Sequence, residues 1–277
     1  MNSENEIVEL AALGLDESRD RDGGIAAESL TRLQARAEEC IQRGPAWEAG
    51  CALIQDVPEH LSAIFARHAE REDLQAEFEG LDWRVGVVDL RRLISFQRRL
   101  VLAEQDAVVE SDALDWLSRV ELVFPPRRQS EFTHVFDTTG LTVSSMNPDV
   151  SVQLTPRPDT AVPFAMEVHH GSSFLEVGFY RGRWFLRDGY HRAYLLLRSN
   201  VSEVPAVIVH ARSLEELGVR QPWFFPEEIL FCRRPPTVMD FLSEDLVLRW
   251  RRPARRKVVR VTITEHFEPL GSEYERS

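Results

Sequence analysis

The chain has 277 residues, of which 43% are hydrophobic and 28% charged, and its formal net charge is -12 at pH 7. These values are ordinary for a globular protein with one large core or two modest ones. The charge is uneven, because residues 181–260 carry 16 basic and 9 acidic residues, a balance of +7 that leaves -19 for the remainder. The basic stretch favours an anionic ligand, whereas the acidic remainder would repel a long polyanion.

Cysteine content and hydropathy exclude several classes of protein. Cys40, Cys51 and Cys232 are odd in number and lack C-x-x-C spacing, so they predict neither a disulfide framework nor a zinc finger. No apolar run approaches the roughly 18 residues that a membrane helix needs, and the acidic N-terminus has no basic leader. We therefore expect a cytoplasmic protein that has no membrane partner.

The first 80 residues divide into an acidic segment and a helical segment. Residues 1–24 are polar and acidic, so we predict a disordered tail. Residues 25–80 repeat apolar side chains at helical spacing, for example Leu30 with Leu33 and Leu61 with Phe65. This pattern predicts a small helical module that serves packing or assembly into a homo-oligomer. A helical adaptor surface is the less favoured alternative.

Residues 81–277 are expected to form an α+β domain with a long β-rich insertion at about 100–170. The domain begins with an apolar strand pattern after Trp83. A helix is predicted at about 112–120, followed by short strands at about 132–136, 141–143 and 150–154. This insertion would either cover a site or thicken the sheet.

The stretch from Phe174 to Val209 carries the clearest secondary-structure signal. Apolar residues alternate up to Tyr180, which predicts a half-buried strand. In order, the pattern then predicts a hairpin turn at Arg181-Gly182, an antiparallel strand at Trp184–Leu186, a helix at Ala193–Leu197 and a buried strand at Val204–Val209.

Asp188-Gly189-Tyr190-His191-Arg192 lies where the second of these strands leads into the helix. The first N–H groups of a helix have no intrahelical partner, and the helix dipole adds partial positive charge there. His191 and Arg192 supply further donors, so the junction predicts a phosphate site with Arg192 as the main contact. The alternative is a purely structural junction, in which Asp188 caps the helix and the His-Arg pair is solvated.

The order of strand, Asp-Gly-x-His-Arg, helix and Val/Pro-containing strand resembles the second motif of the ParB/sulfiredoxin-like superfamily. Its members include chromosome-partition proteins, sulfiredoxin and an ADP-dependent free-serine kinase. The segment Val85–Leu93, followed by Gln97-Arg98-Arg99, is similar to the first motif, which has a proline where Arg98 stands here. The chain between the two motifs is much longer than the family usually carries.

The resemblance implies a ParB/sulfiredoxin-like core of mixed sheet and helices that binds a nucleotide or another phosphorylated small molecule. The identity of the ligand is left open, and ATP, ADP or CTP with Mg²⁺ are the candidates among nucleotides. The implied ligand-binding residues are Asp188, Gly189, Tyr190, His191, Arg192 and Gln97. Tyr190 stands where sulfiredoxin has its reactive cysteine, which argues against sulfiredoxin activity. Phosphoryl transfer or hydrolysis would need a carboxylate base, for which Asp188 and Glu176 are the nearest candidates.

The C-terminal region predicts a β-hairpin at about 245–265 with a basic tip. Such a tip could grip phosphates and stack a base, which would make the chain a ParB-like, DNA-associated partition factor or nuclease. The residues that would bind nucleic acid are Trp250, Arg251, Arg252, Arg255, Arg256 and Lys257. More often such a tip is solvated and protects a sheet edge. A third hypothesis is a non-catalytic interaction protein.

Glu167, His169 and His170 are potential metal ligands that lie close together in the sequence. On a strand, adjacent histidines point to opposite faces, so only Glu167 and His169 could share an ion. No second cluster with ligand spacing accompanies them, and we therefore predict no metal site.

Overall fold

The structure is a computed structural model. It describes residues 4–10, 31, 32, 35, 38, 39, 42, 43, 46, 47, 50–55, 57–103, 114–125, 132–145, 150–156, 164–169, 174–219, 224–264 and 266. The chain divides into two compact units. Unit 1 consists of Met1–Arg128 and Ser172–Ala254, and unit 2 of Gln129–Gly171 and Arg255–Ser277. Helices and several sheets are both present, which confirms the predicted α+β class.

The strands of unit 1 are β1 (Glu4–Leu10), β2 (Leu53–Ile54), β3 (Trp83–Asp89), β4 (Ile94–Ser95), β5 (Arg99–Ala103), β10 (Glu176–Tyr180), β11 (Arg183–Asp188), β12 (Glu203–His210) and β13 (Val247–Pro253). The α-helices of unit 1 whose bounds lie within the described residues are α1 (Glu59–Ala69), α2 (Glu72–Glu77), α3 (Trp116–Val123), α4 (Tyr190–Arg198), α5 (Leu214–Leu217) and α6 (Glu227–Leu230). Among the described residues, 3-10 helices span Leu90–Arg92 and Val238–Leu242. In the described part of the chain, no helix is long and apolar enough to cross a membrane.

A six-stranded sheet in the order β2-β3-β12-β10-β11-β4 forms the centre of unit 1. Adjacent strands of this sheet run antiparallel, except for two parallel pairs, which are β10 with β12 and β11 with β4. The predicted strands and helix between Phe174 and Val209 correspond to β10, β11, α4 and β12, and the antiparallel hairpin of β10 and β11 is confirmed. The local pattern was sufficient here because each element follows the previous one directly.

The predicted disordered tail is wrong for residues 4–10. They form β1, the central strand of a three-stranded antiparallel sheet in the order β13-β1-β5. The acidic side chains do not keep this segment in water, because basic side chains face them across the sheet. Glu9 is almost fully buried and pairs with Arg99 at 2.8 Å, and Glu6 pairs with Arg249 at 3.4 Å. Ile7, Val8 and Leu10 are buried as well.

The described residues between 25 and 80 belong to unit 1 and do not form a separate helical module. Residues 31, 32, 35, 38, 39, 42 and 43 are helical, and α1 and α2 follow Pro58. Leu61, Phe65 and Leu74 on α1 and α2 belong to the same hydrophobic core as the strands and α4. Because this apolar face is buried in unit 1, it does not need a second copy of the chain to cover it.

Unit 2 contains two small antiparallel sheets. One has the order β14-β7-β6, with β6 (Thr133–Asp137), β7 (Gly140–Ser145) and β14 (Lys257–Thr262). The other pairs β8 (Ser151–Pro156) with β9 (Phe164–His169). The short strands predicted in the insertion correspond to β6, β7 and β8, whereas β9 was not predicted. Unit 2 also takes in residues 255–277, which the predicted insertion did not include.

The predicted C-terminal hairpin does not form. β13 pairs with β1 in unit 1, and β14 pairs with β7 in unit 2. Apolar and polar residues alternate in the sequences of both strands, but this alternation does not determine which strand each one pairs with. Each strand satisfies its backbone groups against a segment that is distant in the sequence.

Candidate functional site

The candidate site is the junction between β11 and α4, where the sequence places Asp188 to Arg192. Gly189 lies between the two elements with φ at 85° and ψ at 23°, the left-handed region that favours glycine. A Cβ atom on Gly189 would lie only 3.0 Å from Cα of Leu175. Both the backbone conformation and the close approach of Leu175 therefore require glycine at this turn.

The two candidate catalytic carboxylates flank the junction on paired strands. Asp188 accepts a hydrogen bond from the N–H of Gly189 at 2.5 Å, and it pairs in register with Glu176 on β10. Glu176 is buried and forms an ion pair of 2.6 Å with Arg187. Arg187 also donates to the carbonyl oxygen of Leu217. These bonds hold Glu176 in the fold, away from the role of an open base.

Tyr190 connects the two motifs that the sequence singled out. Its buried hydroxyl donates to the carbonyl oxygen of Leu186 at 2.6 Å and accepts from the N–H groups of Phe96 at 3.1 Å and Gln97 at 3.4 Å. Burial, the largest cause, raises the pKa of this hydroxyl above its ordinary value, so it stays protonated as a donor. The two motifs therefore lie side by side.

The backbone of Gln97 bonds to the Tyr190 hydroxyl, but its side chain bonds to a different residue. Its Nε2 donates to the carbonyl oxygen of Arg99 at 2.8 Å. The neighbouring β4 pairs with β11 in parallel, with Ile94 opposite Phe185. Gln97 is thus close to the start of α4, and its side-chain amide donates to the backbone of β5.

His191 and Arg192 bond to backbone carbonyl groups. The Nε2 of His191 lies 2.7 Å from the carbonyl oxygen of Val101. Arg192 donates to Phe174 at 2.9 Å and more weakly to Leu122 at 3.3 Å. The fold therefore holds this guanidinium through backbone carbonyl groups, and the role of Arg192 as the main phosphate contact stays a prediction. The carbonyl groups at the end of α3 and before β10 outcompete solvent for the guanidinium because they are fixed and close.

The side chains at the start of α4 are bonded, whereas two of its backbone N–H groups have no described acceptor. Among the residues that the structure describes, no acceptor is recorded for the N–H groups of Tyr190 and His191. They are the first two amides of a nine-residue helix, where intrahelical acceptors do not exist. Gly189 and Tyr190 are buried, so water competes poorly for this helix end. The junction thus presents two donors at the positive end of the helix dipole.

The basic residues predicted to bind nucleic acid do not form a hairpin tip. The guanidinium of Arg99 lies 5.3 Å from the ring centroid of Trp250, which is partly buried. Arg251 and Arg252 belong to β13, and Lys257 begins β14. The side chains of Arg251, Arg255, Arg256 and Lys257 are exposed. Their nucleic-acid role stays a prediction.

The potential metal ligands are placed only in part. Glu167 and His169 belong to β9, and His170 lies outside the described residues. Over the described ranges, no group of three or more His, Cys, Asp and Glu side chains could hold a metal ion.

The sequence pattern did not single out the residues that line a cavity of about 430 Å³ in unit 1. They are Trp47, Asp89, Arg91 and Arg92. The available signal was the pair Arg91-Arg92 shortly after the apolar pattern of β3, because consecutive arginines in the short 3-10 helix that follows a strand bring cations to the end of the sheet. Trp47 lies far from Arg91 and Arg92 in the sequence, and hydrophobic periodicity does not predict that it lies near them in the fold.

Comparison of the chain with models of known protein families, with curated proteins and with solved structures gives no match.

Proposed function

We propose that the protein binds a phosphorylated small molecule, with a nucleotide as the leading class, at the start of α4. The observation that carries this proposal is the pair of backbone N–H groups of Tyr190 and His191, for which no described residue is an acceptor. Phosphate oxygens suit such donors, because a helix start combines unpaired amides with a favourable dipole. The resemblance to the ParB/sulfiredoxin-like superfamily supports the same position.

The side chains of the motif have a supporting role in this proposal. Tyr190, His191 and Arg192 fasten the helix start to backbone groups of other elements, and the amides make the phosphate contact. Gly189 keeps the turn close to Leu175. Binding without turnover is the function these groups support, because Glu176 is held by Arg187 and Asp188 by the amide of Gly189.

A matched pair of variants separates the amide of His191 from its side chain. His191→Pro and His191→Ala both remove the imidazole bond to Val101, but only proline removes the backbone N–H. Proline is tolerated in the first helical turn, so the fold should survive, and circular dichroism would check it. Calorimetric titration with pyrophosphate and ADP should show binding to the alanine variant. A lost charge-assisted bond should make the proline variant about tenfold weaker or more.

A second measurement reads the site directly. In protein labelled with ¹⁵N-tyrosine, the Tyr190 amide should shift and saturate as pyrophosphate is added, while the amide of Tyr180 stays in place. Tyr190→Phe would identify the signal. Equal affinities of the proline and alanine variants, or a Tyr190 amide that does not respond to pyrophosphate or ADP, would overturn the proposal.

A further inference from the structure

The cavity lined by Trp47, Asp89, Arg91 and Arg92 lies at the opposite end of α4 from the phosphate site. Leu90, which begins the 3-10 helix Leu90–Arg92, donates its N–H to the carbonyl oxygen of Ser202, beyond the end of α4. The neighbouring Asp89, at the end of β3, lies opposite Glu203 of β12 in the register of the sheet. The nine residues of α4 span about 13 Å at 1.5 Å per residue. The cavity is therefore a separate feature of unit 1.

Asp89 fixes the cationic side of the cavity. Its carboxylate accepts from the backbone N–H of Arg91 at 3.0 Å, from Nε of Arg91 at 2.9 Å and from Nη2 of Arg91 at 2.9 Å. Nε of Arg92 lies 3.8 Å from the same carboxylate. The side chain of Asp89 is only 6% exposed, whereas those of Arg91 and Arg92 are 56% and 54% exposed.

One buried carboxylate thus orients two guanidinium groups that face solvent. The four lining residues carry two positive charges and one negative charge, so a positive charge is left over. Nη1 of Arg91 and both Nη atoms of Arg92 have no recorded acceptor among the described residues. Glu203 lies near Arg91 and offsets part of this charge. Planar guanidinium forks held in this way match carboxylate and phosphate groups.

Trp47 supplies an aromatic wall that the fold also holds in place. Its backbone N–H donates to the carbonyl oxygen of Arg233 at 2.9 Å. The guanidinium of Arg183 lies 4.9 Å from the Trp47 ring centroid and donates in turn to the carbonyl oxygens of Leu230, Phe231 and Cys232. A ring anchored on both backbone and side chain is a suitable stacking surface for a planar group.

We infer that this cavity binds a small organic anion in which an aromatic ring lies next to a phosphate or carboxylate group. The ring would stack on Trp47 and the anionic group would bind Arg91 and Arg92. The volume of about 430 Å³ is within the roughly 300–1,000 Å³ typical of small-molecule sites. The inference goes beyond the proposed function and does not rest on it, because the two sites share no residue.

The probe is AMP, with adenosine and inorganic phosphate as its two halves. In protein labelled with ¹⁵N-tryptophan, the indole signal of Trp47, identified with Trp47→Leu, should shift on addition of AMP. AMP should bind more tightly than either half, because only AMP reaches both the ring wall and the cations. His191→Pro should leave this shift unchanged, which separates the cavity from the start of α4.

Variants of the two arginines test the cationic side. Arg91→Gln with Arg92→Gln should weaken the AMP response of Trp47 about 10-fold to 100-fold, the usual loss for charge-assisted bonds. If the double change unfolds the protein by leaving Asp89 unpaired, Arg92→Gln alone keeps the Asp89–Arg91 pair and should still weaken binding. Arg67→Gln with Arg84→Gln is the matched control, because both arginines are exposed and neither lines the cavity.

The geometry offers one further variant. A side chain at Gly50 would collide with Nη1 of Arg92, whose flexible end can move aside. Gly50→Ala should therefore redirect Arg92 and weaken AMP binding without removing a charge. The inference would be overturned if the Trp47 indole signal of the wild type did not shift on addition of AMP, or if the wild type and the Arg92→Gln variant bound AMP equally well by this measure.

Discussion

At the scale of single residues, the start of α4 shows side chains that bond to backbone rather than to solvent. Tyr190 bonds to the N–H of Phe96, His191 to the carbonyl oxygen of Val101 and Arg192 to that of Phe174. These acceptors and donors belong to the segments around β4, β5 and β10. Three consecutive side chains therefore tie one helix start to three other parts of unit 1.

The first residue-scale prediction is that Arg192 contributes to stability. Arg192→Ala removes the guanidinium that donates to the carbonyl groups of Leu122 and Phe174. We expect the free energy of unfolding, measured with urea, to fall by about 2 kcal/mol, as for a hydrogen bond to a charged group. Arg198→Ala, at the exposed end of the same helix, is the control and should cost at most about 0.5 kcal/mol. Equal losses in the two variants would contradict this role.

The second residue-scale prediction concerns pH. Burial, followed by the charges of Arg71 and Arg67, lowers the pKa of His68 below 6.5, and Asp73 opposes them weakly. Its ring stacks on Phe124 at a centroid distance of 4.8 Å. Below pH 6.5 the unfolded chain therefore binds the proton first, and stability falls until the folded-state pKa is passed. Above pH 6.5 this histidine does not make the free energy of unfolding depend on pH.

Urea unfolding at several pH values checks this sign. His68→Gln should flatten the loss of stability as the pH falls below 6.5. His60→Gln is a control on the same helix, and its exposed position predicts that the loss remains. A loss of the same size in the wild type and in His68→Gln would show that other groups cause it.

The local structure around Asp188 to Arg192 could be predicted from the sequence, but the contacts of these residues could not. Asp188 to Arg192 form a strand-to-helix junction as predicted, because turn, helix and strand signals are local. The groups that Arg192 contacts come from Leu122 and Phe174, which no spacing rule connects to the motif. A sequence pattern identifies donors, whereas the fold decides which acceptors reach them first.

At the scale of elements, β1 shows how an acidic segment becomes a central strand. Glu9 and Arg99 are almost fully buried together, with side-chain exposures of 3% and 12%. Glu6 pairs with Arg249 in a more open position. Opposite charges on neighbouring strands stabilise the pairing, and they disfavour other registers that would place like charges together.

The element-scale prediction compares the two acidic residues of β1. Glu9→Ala leaves Arg99 without its buried partner, so the free energy of unfolding should fall by about 3 kcal/mol or more. Glu6→Ala breaks a partly exposed pair and should cost about 0.5 kcal/mol. Chemical denaturation of both variants provides the measurement. A smaller loss for Glu9→Ala than for Glu6→Ala would contradict the role assigned to the buried pair.

Elements with local partners were predictable, and elements with distant partners were not. β10 and β11 are joined by a two-residue turn at Arg181 and Gly182, so their pairing follows from the sequence. β13 and β14 have equally clear alternation, yet each pairs with a strand from another part of the chain. Alternation fixes which face is buried and leaves the choice of partner to the whole fold.

At the scale of the whole molecule, neither unit is a continuous stretch of chain. Unit 1 uses two segments and unit 2 uses the intervening segment together with the C-terminal residues. The α+β class followed from the mixture of helical and alternating patterns. The assignment of residues 255–277 to unit 2 did not follow, because it depends on the pairing of β14 with β7.

The position of β1 has a consequence for how the chain acquires its structure during synthesis. β1 is made before the other described strands, but its partner β13 is made much later, because the bonded pair Glu6 and Arg249 is 243 residues apart. At roughly 5–20 residues per second, the ribosome needs on the order of ten to fifty seconds to cover that distance. During this time the edge of β1 that later pairs with β13 has unpaired backbone N–H and C=O groups, so even after pairing with β5 the nascent chain presents an open strand edge that is prone to aggregation.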